Sequence, residues 1–138
     1  MDPGIYTLIL RLDEPLEIRV GSLGRVFFRR GYYCYTGSAR GPGGLKRVKR
    51  HLEVLEGKNR CRKWHIDHLL PYTSLVDVVE TRTEVDLECA IARAISDKLE
   101  TLKKFGSTDC SCLGHLHYSS GLDEIIQAVR NAHEIFRQ

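Results

Sequence analysis

Arg47 and His51 stand four residues apart in the run LKRVKRHLEVLEG, a spacing that puts both on one flank of a helix. A guanidinium in that place can grip a phosphate through two parallel N–H bonds. The glycine-rich stretch GPGG precedes the run, so the first N–H groups of such a helix would also face an anion. The spacing alone equally describes an exposed pair on a solvated basic face. Glu88 poses a sharper problem. Wound as one helix, residues 85–104 align Leu87, Ile91, Ile95, Leu99 and Leu102 in a stripe, and Glu88 falls inside it. A carboxylate aimed at a core is costly unless a cation or hydrogen bonds meet it. A divalent cation would do so, because Mg2+ takes hard oxygen ligands. A place at the margin of the stripe, or an arginine partner, would serve as well.

Two further clusters carry metal-ligand chemistry. Cys110, Cys112, His115 and His117 form C-x-C-x2-H-x-H, a set of soft donors that zinc takes tetrahedrally. The spacing is tighter than the usual zinc patterns and no second knuckle accompanies it. Buried thiols and hydrogen-bonded histidines account for the same residues. A third reading sets this segment beside an active site, giving a histidine or Asp109 to substrate. In WHIDHLL, His65 and His68 share a face of a short helix with Asp67 between them. A third ligand is missing there, which favours a structural or substrate-facing role.

The chain that must position these groups has 138 residues, 42% of them apolar and 28% charged. That is one domain's worth of sequence with enough apolar residues for a core. No apolar run approaches the ~20 residues of a membrane span, and MDPGIYTLIL lacks the pattern of a secretory signal. Five cysteines then read as mostly reduced thiols of a cytoplasmic protein. Charge is unevenly placed. Residues 40–63 hold nine Lys and Arg against Glu53 and Glu56, a local +7 in a chain of net charge +3. Arg40, Lys46, Lys49, Arg50, Arg62 and Lys63 thus make a basic segment on an acidic body, as a polyanion-binding face would. A solvated helix gives the same count.

Alternation predicts strands over 6–12, 17–20, 25–30, 32–37 and 74–82, with Tyr6, Leu8, Leu10 and Leu12 on one face of the first. Helical spacing predicts helices near 45–56, 63–70, 85–104 and 121–136. Residues 105–118 read as irregular or extended. The sum is a single α+β domain.

GIY at residues 4–6, YTG at 35–37, LKRVKRH behind it and a later helical glutamate together resemble the GIY-YIG nuclease family. The words GSA, WHIDHLL, ECAIARAI and FGSTDCSCLGHLHY are similar, more narrowly, to a small prokaryotic subgroup of GIY-YIG-like domains of unknown function. The resemblance covers residues 4 to about 118. It implies a small, mainly antiparallel sheet flanked by helices. It also implies a metal-dependent endonuclease acting on DNA, structure- or damage-directed, as in repair or recombination. Residue by residue it implies that Tyr6 and Tyr35 are the motif tyrosines, Arg47 the helix arginine and Glu88 the ligand of Mg2+ or Mn2+. His51 matches a histidine found in some members, and His65 more loosely another. The two tyrosines are 29 positions apart, much farther than in typical members, so an extra hairpin is expected between the motif strands near 17–30. Thr36 replaces the apolar middle residue of the second motif.

Phosphodiester hydrolysis needs an activated water, neutralised phosphoryl charge and a stabilised leaving oxyanion. Glu88 with its metal, Arg47 and a tyrosine could supply all three. A tyrosine titrates near ~10, so Tyr6 as base requires a cation beside it; His51 and His65 are the next candidates. Two other classes remain open. One is a nucleic-acid-binding module on the same fold without cleavage, and the other is a zinc-stabilised interaction protein.

Overall fold

The computed structural model describes residues 3–39, 46–106 and 114–137. The chain folds as α+β, with a five-stranded, wholly antiparallel sheet, a separate two-stranded hairpin and four helices among the described residues. In chain order the elements are β1 (Gly4–Leu12), β2 (Leu16–Arg19), β3 (Arg25–Phe28), β4 (Gly31–Ser38), α1 (Lys46–Leu55) and α2 (His65–Leu69). They continue with β5 (Ser74–Arg82), α3 (Glu88–Ser96), β6 (Glu100–Leu102), β7 (Leu116–Ser119) and α4 (Leu122–Ile135). The sheet order is β5-β1-β4-β7-β6.

β1 lies between β5 and β4 with helices on both faces, so its sequence GIYTLILRL is apolar on almost every position. Its period of two divides the core. Tyr6, Leu8, Leu10 and Leu12 join Tyr33 and Tyr35 of β4 in one cluster, packed on the hairpin, α1 and α2. Ile5, Ile9 and Cys34 face the opposite way, onto α3 and α4. The β2–β3 hairpin intervenes between the two motif strands, as the long gap between the tyrosines led us to expect. Its Leu16, Ile18 and Val26 pack on the first cluster, and Phe28 is wholly buried in it.

α1 ends in a Schellman motif. Gly57 takes φ +80, Gly57 N–H donates to Val54 C=O and Lys58 N–H to Glu53 C=O. Helical spacing alone would bury Val48, Leu52 and Leu55 together. Val48, His51 and Val54 are buried, while Leu52 and Leu55 are only partly so. His51 therefore sits inside the core and not on its flank.

The helix expected over 85–104 is shorter than its apolar pattern suggested. α3 ends at Ser96, Lys98 and Leu99 N–H groups both close on Ile95 C=O, and the chain then becomes β6, paired to β7. Leu99 and Leu102 belong to the turn and to that strand. Glu88 is thus the first residue of α3 and not part of a mid-helix stripe; its side chain is about 25% exposed. There the positive end of the helix dipole favours a carboxylate. No described helix is long and apolar enough to cross a membrane.

Candidate active site

Tyr6, Tyr35, Arg47 and Glu88 come from β1, β4, α1 and α3, and all four line one cavity of about 320 Å3. Tyr6 reaches it because of the residue opposite. Gly37 is its cross-strand partner, and a Cβ there would clash with Tyr6 Oη and Cζ. The glycine of YTG is required by the position of that ring, although its φ is ordinary.

Tyr6 Oη lies 2.6 Å from His51 Nε2, both side chains being buried. Burial pushes the Tyr6 hydroxyl well above its ordinary value; neighbouring Tyr35 and Glu88 act in the same direction, and Arg47 and Arg50 oppose them. Burial likewise raises Tyr35, with Glu88 and Asp67 adding to it. His51 is pushed down to about 4 by burial, so the ring is neutral at pH 7. Its Nδ1 has no hydrogen-bond partner among the described residues. Tyr35 meets the His51 ring edge-on at 5.9 Å.

Arg47 is held from two sides. Its Nη1 donates to Ser38 C=O at 2.7 Å, and its guanidinium lies 5.1 Å from the centre of the Trp64 ring. Among the described residues the bond to Ser38 is its one hydrogen bond, and four of its five donors are left for an anion. Arg50, grouped by sequence with the nucleic-acid-binding residues, does something else. It makes a bidentate pair with Asp67 at 2.9 and 3.0 Å and stacks on Trp64 at 4.1 Å. Asp67 is fully buried and also accepts from Trp64 N–H at the start of α2. Burial alone would raise its carboxyl, but Arg50 and that N–H outweigh it and hold the group below its ordinary value. The pair is structural and ties α1 to α2.

His65 also lines the cavity, with Nδ1 accepting from Gly106 N–H at 2.9 Å. When neutral the ring therefore carries its proton on Nε2. Burial is the main reason its pKa is lowered. His115, read as a zinc candidate, sits at the cavity beside the α3 N-terminus. Its Nδ1 is 3.8 Å from Glu88 Oε2 and its Nε2 is 3.9 Å from Cys89 Sγ. His117 is buried on β7, neither ring nitrogen having a partner among the described residues, and burial with nearby His115 holds it at about 4. Cys110, Cys112, Asp109 and Arg40 lie outside the described residues. Among the described residues no three of His, Cys, Asp and Glu gather in one place. Cys34 and Cys61 are free thiols. Cys89 is disulfide-bonded.

Of the remaining basic residues, Lys46 and Lys49 are exposed on α1 and Lys63 lines the cavity, whereas Arg62 lines a second groove. Sequence reasoning missed Asp86, which lines the cavity two residues before Glu88. It also missed Trp64 as the ring on which Arg47, Arg50 and Lys63 converge. The D-x-E spacing ahead of a helix was the available signal for Asp86. Nothing in the sequence marked Trp64 as a cation platform.

The fold is an antiparallel α+β domain, and its site is a polar cavity walled by two tyrosines, an arginine and two carboxylates. A family model described as a domain of unknown function, DUF123, matches residues 5–138. The chain belongs to that family. No curated protein and no solved structure matches it.

Proposed function

We propose that the protein is a divalent-metal-dependent nuclease of the GIY-YIG type that hydrolyses phosphodiester bonds in DNA. The observation that supports this most is the convergence of Tyr6, Tyr35, Arg47 and Glu88 on one cavity from four separate elements. The residue types fit a hard cation: Glu88 and Asp86 both line the cavity, and Mg2+ commonly takes one or two carboxylates and keeps its waters. Once bound, the cation supplies charge neutralisation at a phosphoryl oxygen and at the leaving oxygen.

The other roles fall to the chain. Arg47, fixed by Ser38 C=O and the Trp64 ring, donates to the non-bridging oxygens as negative charge grows on them. Tyr6 Oη takes a proton from the attacking water while its own proton passes to His51 Nε2, 2.6 Å away. Neutral His51 is the acceptor, and the approaching phosphate anion stabilises the imidazolium that forms. His115 stands beside the Glu88 carboxylate, with Nδ1 3.8 Å from Oε2.

The test is cleavage of labelled duplex, single-stranded, flap and branched DNAs with Mg2+ or Mn2+, beside Glu88→Ala and Arg47→Ala. Single-turnover rates are expected to fall by about 10²–10³-fold or more in both variants, with DNA binding retained by Glu88→Ala. Tight binding with no cleavage under any condition would favour a binding module on this fold. Equal cleavage by all three proteins would reject the site.

A further inference from the structure

A second groove, of about 390 Å3, lies between the β2–β3 hairpin and the α2 region. Arg19, Arg25 and Glu17 line it from the hairpin, Arg62 from the strap before α2, His68 from α2, and Tyr72 from the turn that follows. Glu17 is its one carboxylate among the lining residues, and Arg25 neutralises it at 3.0 Å. Arg19 and Arg62 meet no carboxylate among the described residues, so the wall carries a positive surplus. Tyr72 is 55% exposed, a large flat ring left in water.

The groove adjoins the catalytic cavity. Lys63 and His65 line the cavity while Arg62 and His68 line the groove, so segment 62–68 is the partition between them. The hairpin crosses over it at Gly21, where a Cβ would stand 3.7 Å from His68 Nε2 and 3.9 Å from His65 Cδ2, with φ at +47. A chain leaving the cavity over α2 therefore meets a cationic trough with an aromatic ring in its wall.

We infer that this groove is a binding track for a single-stranded segment of the nucleic acid whose phosphodiester occupies the cavity. Arg19 and Arg62 contact its phosphates, and Tyr72 stacks on one base. This rests on the nuclease reading above. The single strand is chosen over duplex because only an unpaired base offers a face to Tyr72, and sequence-tolerant stacking with a basic trough is how single strands are held. The hairpin that forms one wall is the element by which this chain departs from the shorter motif spacing of the family it resembles.

Fluorescence anisotropy with labelled oligo(dT) of about four and about twelve nucleotides, in EDTA and over a salt series, tests the inference. A duplex of matched length and the variants Arg19→Ala/Arg62→Ala, Tyr72→Ala and Lys98→Ala, the last at an exposed lysine beyond α3, complete the set. Losing two phosphate contacts should lower the salt slope for the longer oligonucleotide by about 1.4. Tyr72→Ala should weaken its binding about tenfold with the slope unchanged. Lys98→Ala, and the shorter oligonucleotide with any variant, should show no change. A twelve-nucleotide affinity and slope unaltered in the groove variants would overturn the track and leave the nuclease reading standing. So would a parent protein that binds duplex but not the longer oligonucleotide. A parent that binds neither would overturn both.

Discussion

Tyr6 and Thr7 are neighbours on β1, and the pleat sends them to opposite faces of the sheet. Each meets a buried histidine. Tyr6 Oη lies 2.6 Å from His51 Nε2 of α1, and Thr7 Oγ1 lies 2.7 Å from His133 Nε2 of α4. Burial is the main cause in both rings, and it pushes each down to about 4. The difference lies in what surrounds them. His133 is bonded at both nitrogens, by Thr7 and by Thr81 at 2.9 Å, and Thr7 is bonded in turn to Thr36. His51 is bonded at one nitrogen only among the described residues, and its partner opens on a cavity. A fully satisfied buried network fixes a core. A half-satisfied one beside a cavity points to chemistry, because an unmet polar group is tolerated where function repays its cost.

That contrast predicts opposite consequences for the same substitution. His51→Leu should lower single-turnover cleavage by about 10²–10⁴-fold, the usual contribution of a positioned proton acceptor. Its stability cost should stay near ~1 kcal/mol, because one buried hydroxyl, and not two, loses its partner. His133→Leu should leave the rate of the folded protein unchanged and cost about 1–3 kcal/mol, since two buried hydroxyls lose a partner. Urea unfolding and single-turnover rates on both variants measure the two effects. If the pattern were reversed, the functional face would be the one packed on α4.

The pH dependence separates the faces more gently. His51, His117 and His133 are each held at about 4 against an ordinary 6.5. Protons then bind the unfolded chain first, so stability is full above pH 6.5 and falls as pH drops toward 4. Each histidine contributes up to about 1.4 kcal/mol per pH unit within that window. Either His→Leu variant should flatten its own share of the slope. The cleavage rate should behave differently, staying level down to about pH 5 because His51 remains the neutral acceptor. An acid limb centred near 6.5 would exclude His51 from that role, while the profile of His133→Leu should match the parent.

Much of this division could be read in the sequence, and the rest was hidden for physical reasons. Alternation put Tyr6, Leu8, Leu10 and Leu12 on one face of β1, and all four lie in one cluster, while Ile5 and Ile9 lie in the other. Period-two patterns survive in a central strand because both faces are packed. The helices were less faithful. Leu99 and Leu102 kept a helical spacing with Ile91 and Ile95 although the chain had already turned into β6. Apolar residues are needed on either path, so periodicity could not mark the break. His51 looked like a flank residue and proved to be core, because its bond to Tyr6 spans 45 positions. Arg50 looked like its basic neighbours, and only the buried Asp67 in a later helix shows that it is committed. His133, likewise, is defined by hydroxyls 52 and 126 residues away.

The smallest expected effect tests how far the α4 face is insulated from the cavity. Thr36 stands where the resembled motif carries an apolar residue, and its Oγ1 lies 2.9 Å from Thr7 Oγ1. Thr36→Val keeps the shape and removes that one bond, while Thr7 retains His133. The loss should be about 0.5–1.5 kcal/mol, read as a lower urea midpoint with the slope of the transition unchanged. Thr36 flanks Tyr35 and Gly37 on β4, both of which line the cavity. Its side chain, though, belongs to the far face, so the cleavage rate should not change. A rate that fell together with stability would mean that the threonine–histidine network positions the tyrosines through the strand, and the two faces would then be one device.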